Sequence, residues 1–176
     1  AQHPHRPGAA VGGGIAAPSA NRFGHVSPTR ASHVHTEFRE LDLVILDGGA
    51  SMVGLESTIV DCAVDPPRLL RPGSITRALL EEVLGGRGLA PAATEGVPRV
   101  PGALERHYAP RAQTLLVASD ALHRSAWGSG PASLLACASV PASVRRRFAS
   151  VRELPSDPAA YAHELYDALR ALDAAG

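Results

Sequence analysis

Two spacings of apolar residues divide the chain. Short continuous apolar runs bounded by turn residues occur in "LDLVILDGG" (about 42–47), "ESTIVDCAV", "RLLRPG", "QTLLVA" from Gln113, and "SLLACA". Each predicts a short strand, and the β-branched Thr58, Ile59 and Val60 strengthen the second. "DPPR" reads as the turn between the second and third. Helical spacing occurs elsewhere. "PTRASHVHTEF" has no breaker until Leu41 and offers Thr29 as its N-cap. "SITRALLEEVLGG" offers Ser74 or Thr76 as cap, an apolar stripe of Leu79, Leu80, Val83 and Leu84, and Gly85–Gly86 as a stop. "ASVRRRFASV" predicts a short helix. "SDPAAYAHELYDALRALDAAG" predicts a long one, with Ser156 or Asp157 as cap, Pro158 in the first turn, and Tyr161, Leu165, Leu169 and Leu172 along one face.

Between these patterns lies "RGLAPAATEGVPRVPGALERHYAPRA" (87–112), rich in Pro and Gly and without periodicity. A stretch of this length inside a compact chain reads as a linker or a functional lid. Strands alternating with helices on either side point to the α/β class.

Composition narrows the chemistry. All 17 basic residues of the 176 are Arg, so a phosphate here is met by Arg, backbone amides or a metal, never by Lys. The formal net charge is zero, so the field of the whole chain recruits neither nucleic acid nor membrane. Arg145–Arg147 reads as a solvated helix face. No apolar run reaches the length of a membrane span, and the first residues lack the apolar core of a signal peptide. Cys62 and Cys137 sit in apolar runs and read as buried free thiols, which fits a reducing cytoplasm. The sequence opens on "AQHPHRPGAAVGGG" without Met and closes on "LYDALRALDAAG", which reads as a fragment of something longer.

The segment "AAPSANRFGHVSPT", Ala16 to Thr29, fits neither spacing. Ser19, Asn21 and Ser27 are short polar groups, Gly24 permits close backbone approach, and Pro18 and Pro28 fix φ. Such a stiff loop suits a phosphate, a ribose or a carboxylate. It equally suits a turn in which Ser and Asn cap backbone groups. Ser57 stands ahead of a strand, after a Gly-rich turn, and Arg71 ends another before Pro72–Gly73. A guanidinium there is a phosphate ligand if it faces a hydroxyl-lined loop.

In this order, "APSANRFGHVSPT", "LDGGASMVGLESTIVD", "LLRPGSIT" and "PGALERHYAP" resemble the threonylcarbamoyl-AMP synthases in their long form, over about residues 10–111. The resemblance implies the C-terminal half of a YrdC-like α/β twisted-sheet domain (1–86), a linker or lid (87–112) and part of a small Rossmann-like α/β domain (113–176). It implies synthesis of threonylcarbamoyl-AMP from L-threonine, bicarbonate and ATP with release of pyrophosphate, in the cytoplasm. ATP is a substrate, and Mg²⁺ is expected with it. The product feeds a tRNA threonylcarbamoyl transferase machinery, and tRNA or double-stranded RNA is a further implied partner. Carried over, Ser19, Asn21, Ser27, Arg71 and Tyr108 contact ATP, while Ala17 and Ser57 lie against L-threonine. The nucleophile is already anionic, so no catalytic base is assigned. The family's upstream Lys/Arg motif is not in these 176 residues. The isolated chain is therefore expected to be inactive, with exposed apolar strand edges and a tendency to aggregate. A non-catalytic YrdC-like RNA-binding module and a carbamoyl-transfer relative are the alternatives.

Several residues stay outside that assignment. His33 and His35 form an H-x-H pair that does not share a helix face, and they read as solvent-facing rather than as metal ligands. His3 and His5 read the same way. His107 either touches phosphate or pins the linker. Glu56 either orients Ser57 or lies at the surface, and Asp47 caps the turn at Gly48–Gly49.

Overall fold

A computed structural model describes residues 12–14, 16–91, 98, 100, 107–123 and 131–175. The expectations for His3 and His5, and for most of 92–106, lie outside the described residues. The order is α1 (Ala31–Glu37), β1 (Ile59–Asp61), β2 (Arg68–Arg71), α2 (Arg77–Val83), a 3₁₀ turn (Ser119–His123), β3 (Ser133–Ala136), α3 (Ala142–Arg145), β4 (Ser150–Glu153) and α4 (Pro158–Ala175). The class is mixed α/β.

β1 and β2 pair antiparallel across the "DPPR" turn, with Ile59 opposite Arg71 and Asp61 opposite Arg68. Thr58, just outside β1, locks the chain beyond β2. Its hydroxyl donates to the Ile75 carbonyl at 2.8 Å and accepts from the Ile75 N–H at 3.0 Å. Gly73 makes this approach feasible, because a Cβ there would collide with the backbone of Glu56, Ser57 and Thr58. Thr76, rather than the alternative Ser74, caps α2 by accepting from Leu79 N.

β3 and β4 pair in parallel, joined through α3, with Leu134 opposite Val151. This is a small βαβ unit. α4 packs on both of its strands. Its N-cap is Asp157, whose Oδ1 accepts from Ala160 N at 2.9 Å. Buried apolar residues here include Val140, Val144, Leu154, Tyr166 and Ala168.

Several expectations are corrected. Residues 42–47 and 113–118 form no strand. Among the described residues no strand pairs with either segment, and an apolar run without a ladder partner gains nothing from extending. Val44 is 93% exposed, Leu46 86% and Leu116 104%. The exposed apolar surface is as expected, although it lies on irregular backbone rather than on strand edges. Cys62 and Cys137 are exposed rather than buried, each lying just past the end of a strand. Thr29 does not cap α1. Arg30 holds the N-cap position without a side-chain bond, and Thr29 N–H donates instead to His33 Nδ1 at 3.1 Å. His33 is therefore turned inward. Burial and the Arg170 guanidinium lower its pKa. Leu79 and Val83 of the α2 stripe are exposed, at 51% and 86%. The Arg145–Arg147 run lies at the surface, as expected, but the helix predicted over "ASVRRRFASV" ends at Arg145, and Ser150 and Val151 open β4 instead. Asp47 caps its turn by accepting from Gly49 N at 2.9 Å.

Candidate functional site

Arg71 closes β2 and is only 9% exposed. A buried guanidinium needs acceptors, and its surroundings supply them. Nε and Nη2 donate to the Ser57 carbonyl at 3.0 and 2.8 Å, and Nη2 donates to Ser57 Oγ at 3.0 Å. Nη1 donates to Tyr108 Oη at 2.6 Å. The Glu56 carboxylate stands 3.6 Å from Nη2. Strand pairing produces this fan of contacts, because the register sets Arg71 opposite Ile59, next to the Ser57–Thr58 segment.

Ser27 reaches the same group from the opening loop. It is 7% exposed, and its hydroxyl donates to Glu56 Oε1. Asn21 Oδ1 lies 3.5 Å from the same hydroxyl, while its amide donates to the carbonyls of Arg22 and His25 at 3.1 and 3.0 Å. Asn21 thus braces the loop from within, leaving Ser27 to face Glu56.

Tyr108 arrives from the far end of the 87–112 segment. Ala109 N donates to the Gly24 carbonyl at 2.9 Å, and Ala109 forms a β-bridge with His25. Tyr108 sits at φ 52°, in the left-handed region that a bulky residue occupies only when its surroundings hold it there. Its ring lies 5.8 Å from the Arg71 guanidinium carbon and 6.1 Å from the Tyr166 ring of α4. Burial raises the Tyr108 pKa, and the nearby Glu56 charge adds to this against the pull of Arg71. The phenol is a neutral donor and acceptor at physiological pH. His107 packs edge-on against both Tyr108 and Phe23, and its buried Nδ1 has no hydrogen-bond partner among the described residues.

The structure thus gathers Asn21, Ser27, Ser57, Arg71 and Tyr108, drawn from three separate segments, around Glu56. Ser19 and Ala17 are exposed, and no hydrogen bond ties either to this group among the described residues, though Ala20 beside them also takes a positive φ of 54°. Sequence reasoning left Glu56 undecided, and it proves to bridge Ser27 and Arg71 rather than to orient Ser57. It missed Tyr166, Glu37 and Arg170 altogether. In a chain with 4% aromatics a Tyr on a helix face was a usable signal, whereas a charged helix face gave none.

The group can hold an anion between a guanidinium and hydroxyls, under an aromatic side chain. Among the described residues no cluster of three or more His, Cys, Asp or Glu is arranged to hold a metal, and no helix is long and apolar enough to cross a membrane.

Comparison with known proteins adds an independent line. The family model described as threonylcarbamoyl-AMP synthase, C-terminal domain, matches residues 75–176, and one described as telomere recombination matches residues 5–73. A threonylcarbamoyl-AMP synthase of Pyrococcus abyssi is 42% identical over 106 residues, covering 58% of this chain and 31% of that protein. One of Bacillus subtilis is 45% identical over 102 residues, covering 56% of this chain and 29% of that protein. The aligned stretch thus covers less than a third of each curated relative, and the chain as a whole spans about half the length of the solved relative. The crystal structure of P. abyssi Sua5 complexed with L-threonine superposes with a TM-score of 0.64 at 29% identity, covering 92% of this chain and 50% of that one. A variant of the same protein with an adjacent His and Tyr both replaced by Ala superposes with a TM-score of 0.61 at 26% identity, covering 90% of this chain and 48% of that one.

Proposed function

The chain belongs to the threonylcarbamoyl-AMP synthase family, and we propose that it supplies part of a site that joins L-threonine, bicarbonate and ATP into threonylcarbamoyl-AMP. The observation that carries this reading is the meeting of Ser57 and Tyr108 on the buried Arg71, with Ser27 joined to it through Glu56. The relative's bound L-threonine supports an amino-acid seat in the corresponding part of this fold. The relative's His–Tyr replacement supports a role for His107–Tyr108, the single His–Tyr pair in this sequence.

In this reading residues 1–86 are the C-terminal part of a YrdC-like twisted-sheet domain, 87–112 a lid, and 113–176 part of a Rossmann-like unit. Arg71 neutralises the nucleotide's phosphates, which no Lys of this chain can do. Ser27 donates to a phosphate oxygen by turning its hydroxyl from Glu56, so an incoming anion competes with that carboxylate for the same donors. Asn21 keeps the loop in shape, and Ser19 completes the nucleotide contacts when the 16–20 segment closes. Ala17 and the Ser57 hydroxyl lie against L-threonine. Tyr108 covers the nucleotide from the lid, and His107 Nδ1, without a hydrogen-bond partner among the described residues, faces a polar ligand group.

The carbamate of threonine attacks the α-phosphate, so the protein's work is positioning, charge neutralisation and exclusion of water. Bound to the triphosphate, Mg²⁺ would add Lewis-acid polarisation. The described residues form no acidic cage for it, and Glu56 is already engaged by Ser27 and Arg71. The downstream consumer is a tRNA threonylcarbamoyl transferase machinery.

The test is pyrophosphate release by the protein carrying this chain, with each of the three substrates omitted in turn. Release should need all three and fall at least about a hundredfold in Arg71→Met, which removes a preorganised charge from the phosphates. Release indifferent to threonine, or to Arg71→Met, refutes the reading.

A further inference from the structure

α4 carries two faces. One packs on β3 and β4. The other, formed by His163, Tyr166, Asp167, Arg170 and Asp173, is polar and would read as a solvated surface. In the structure it lies against the site loops instead. His163 Nδ1 is 2.9 Å from the Met52 carbonyl, and Asp167 pairs with Arg30 at 2.8 Å. Asp173 accepts from Arg111 Nε at 3.1 Å and from Ala112 N at 2.9 Å. The helix comes so close that a Cβ on Gly54, at φ 74°, would collide with the His163 backbone.

Arg170 occupies the centre of this face. Its Nη2 donates to the Val26 carbonyl at 2.5 Å and to Glu37 Oε2 at 2.9 Å, and its Nε donates to the Ser27 carbonyl at 3.3 Å. The side chains are well covered, at 14% exposure for Arg170 and 8% for Glu37. Glu37 in turn accepts from Arg22 N at 3.0 Å and meets His25 Nδ1 at 2.7 Å, so both ends of the 22–27 loop are tied to one ion pair. A guanidinium fork on two successive carbonyls fixes the peptide plane between them and with it the direction of the Ser27 side chain.

We infer that Arg170 is a positioning residue for the nucleotide site: from the C-terminal helix it sets the rotation of the Val26–Ser27 peptide and aims the Ser27 hydroxyl at the Glu56–Arg71 seat. The inference rests on the reading of Ser27 as a nucleotide contact only for its effect on ATP. Its effect on the loop is independent of that reading. The 113–176 segment is then part of the site's framework, supplying Arg170 beneath the loop and Tyr166 behind Tyr108.

The test uses the protein carrying this chain, with Arg170→Met, Arg170→Lys and Arg111→Met. Arg111→Met removes another α4 ion pair but touches no carbonyl of the loop. Amide exchange is followed at His25, Ser51 and Ala109, whose acceptors are the carbonyls of Arg22, Thr29 and Gly24. Arg170→Met should speed their exchange at least about tenfold and raise KM for ATP by a similar factor, with kcat at saturation little changed. Arg170→Lys should recover part of both effects, and Arg111→Met should leave the loop amides protected. Unchanged protection in Arg170→Met, or equal loosening in Arg111→Met, overturns the inference. Should the wild-type protein bind no ATP while Arg170→Met still frees the loop, the proposed function fails and the positioning role stands.

Discussion

Arg71 and Tyr108 lie 37 positions apart in the chain, yet the guanidinium of one donates to the phenol of the other at 2.6 Å. This contact joins the end of β2 to the end of the 87–112 segment. Removing it takes one acceptor from a buried cation, and it frees a residue held in a costly backbone conformation. Tyr108→Phe should keep the ring and lose the anchor. The expected result is ATP affinity weakened by about ten- to a hundredfold by calorimetry, from the roughly 1.5–3 kcal/mol typical of a bond to a charged group. Affinity equal to wild type would show that the contact does not shape the site.

Gly73 presses its Cα against the backbone of Glu56–Thr58. Gly73→Ala should push that segment off β2 and displace Ser57 from Arg71. The expected cost is about 2–3 kcal/mol in denaturant unfolding, with substrate affinity lost alongside. Gly48→Ala is the control, since a Cβ there meets nothing within 4 Å and its φ is not left-handed.

Stability should fall on acidification, with Glu37 carrying a defined share. Burial pushes the Glu37 carboxyl up, but the Arg22 N–H, the Arg170 guanidinium and His25 outweigh it and hold the pKa below 4.5. The unfolded carboxyl takes its proton first, so the contribution is present above about pH 4.5 and is lost as pH falls through the folded value. Asp173, lowered by Ala112 N–H and Arg111 against its own burial, acts in the same direction from 3.8 downward. His33, lowered mainly by burial, favours the neutral form in the fold, so stability also declines as pH drops below 6.5. Glu37→Gln should cost about 3 kcal/mol at neutral pH by stranding Arg170, and it should flatten the decline below pH 4.5. Thermal melts from pH 3 to 8 read both effects, and an unaltered acid limb would refute the assignment.

Val44, Leu46 and Leu116 are almost fully exposed on irregular backbone. Apolar segments without a ladder partner invite association. The 176-residue chain should self-associate at micromolar concentration in sedimentation and bind a hydrophobic dye. Val44→Lys with Leu116→Lys should reduce both without altering the Arg71 group. A monodisperse wild-type monomer would contradict this.

What the sequence determined by itself is local. Runs of β-branched and aliphatic residues fixed β1, β2 and β3, Gly85–Gly86 stopped a helix, and the helix starts were narrowed to Ser74 or Thr76 and to Ser156 or Asp157, because strand propensity and capping act between near neighbours. The order of motifs singled out Ala17, Ser19, Asn21, Ser27, Ser57, Arg71 and Tyr108, of which the fold gathers all but Ala17 and Ser19. Tertiary structure decided the rest. Residues 42–47 and 113–118 are as apolar as β3, yet a strand exists only where a second one supplies its hydrogen bonds. Glu56 and Arg170 are charged residues like many others until partners from distant segments remove them from water. That desolvation turns an ordinary surface charge into a fixed structural contact, and no spacing along the chain encodes it.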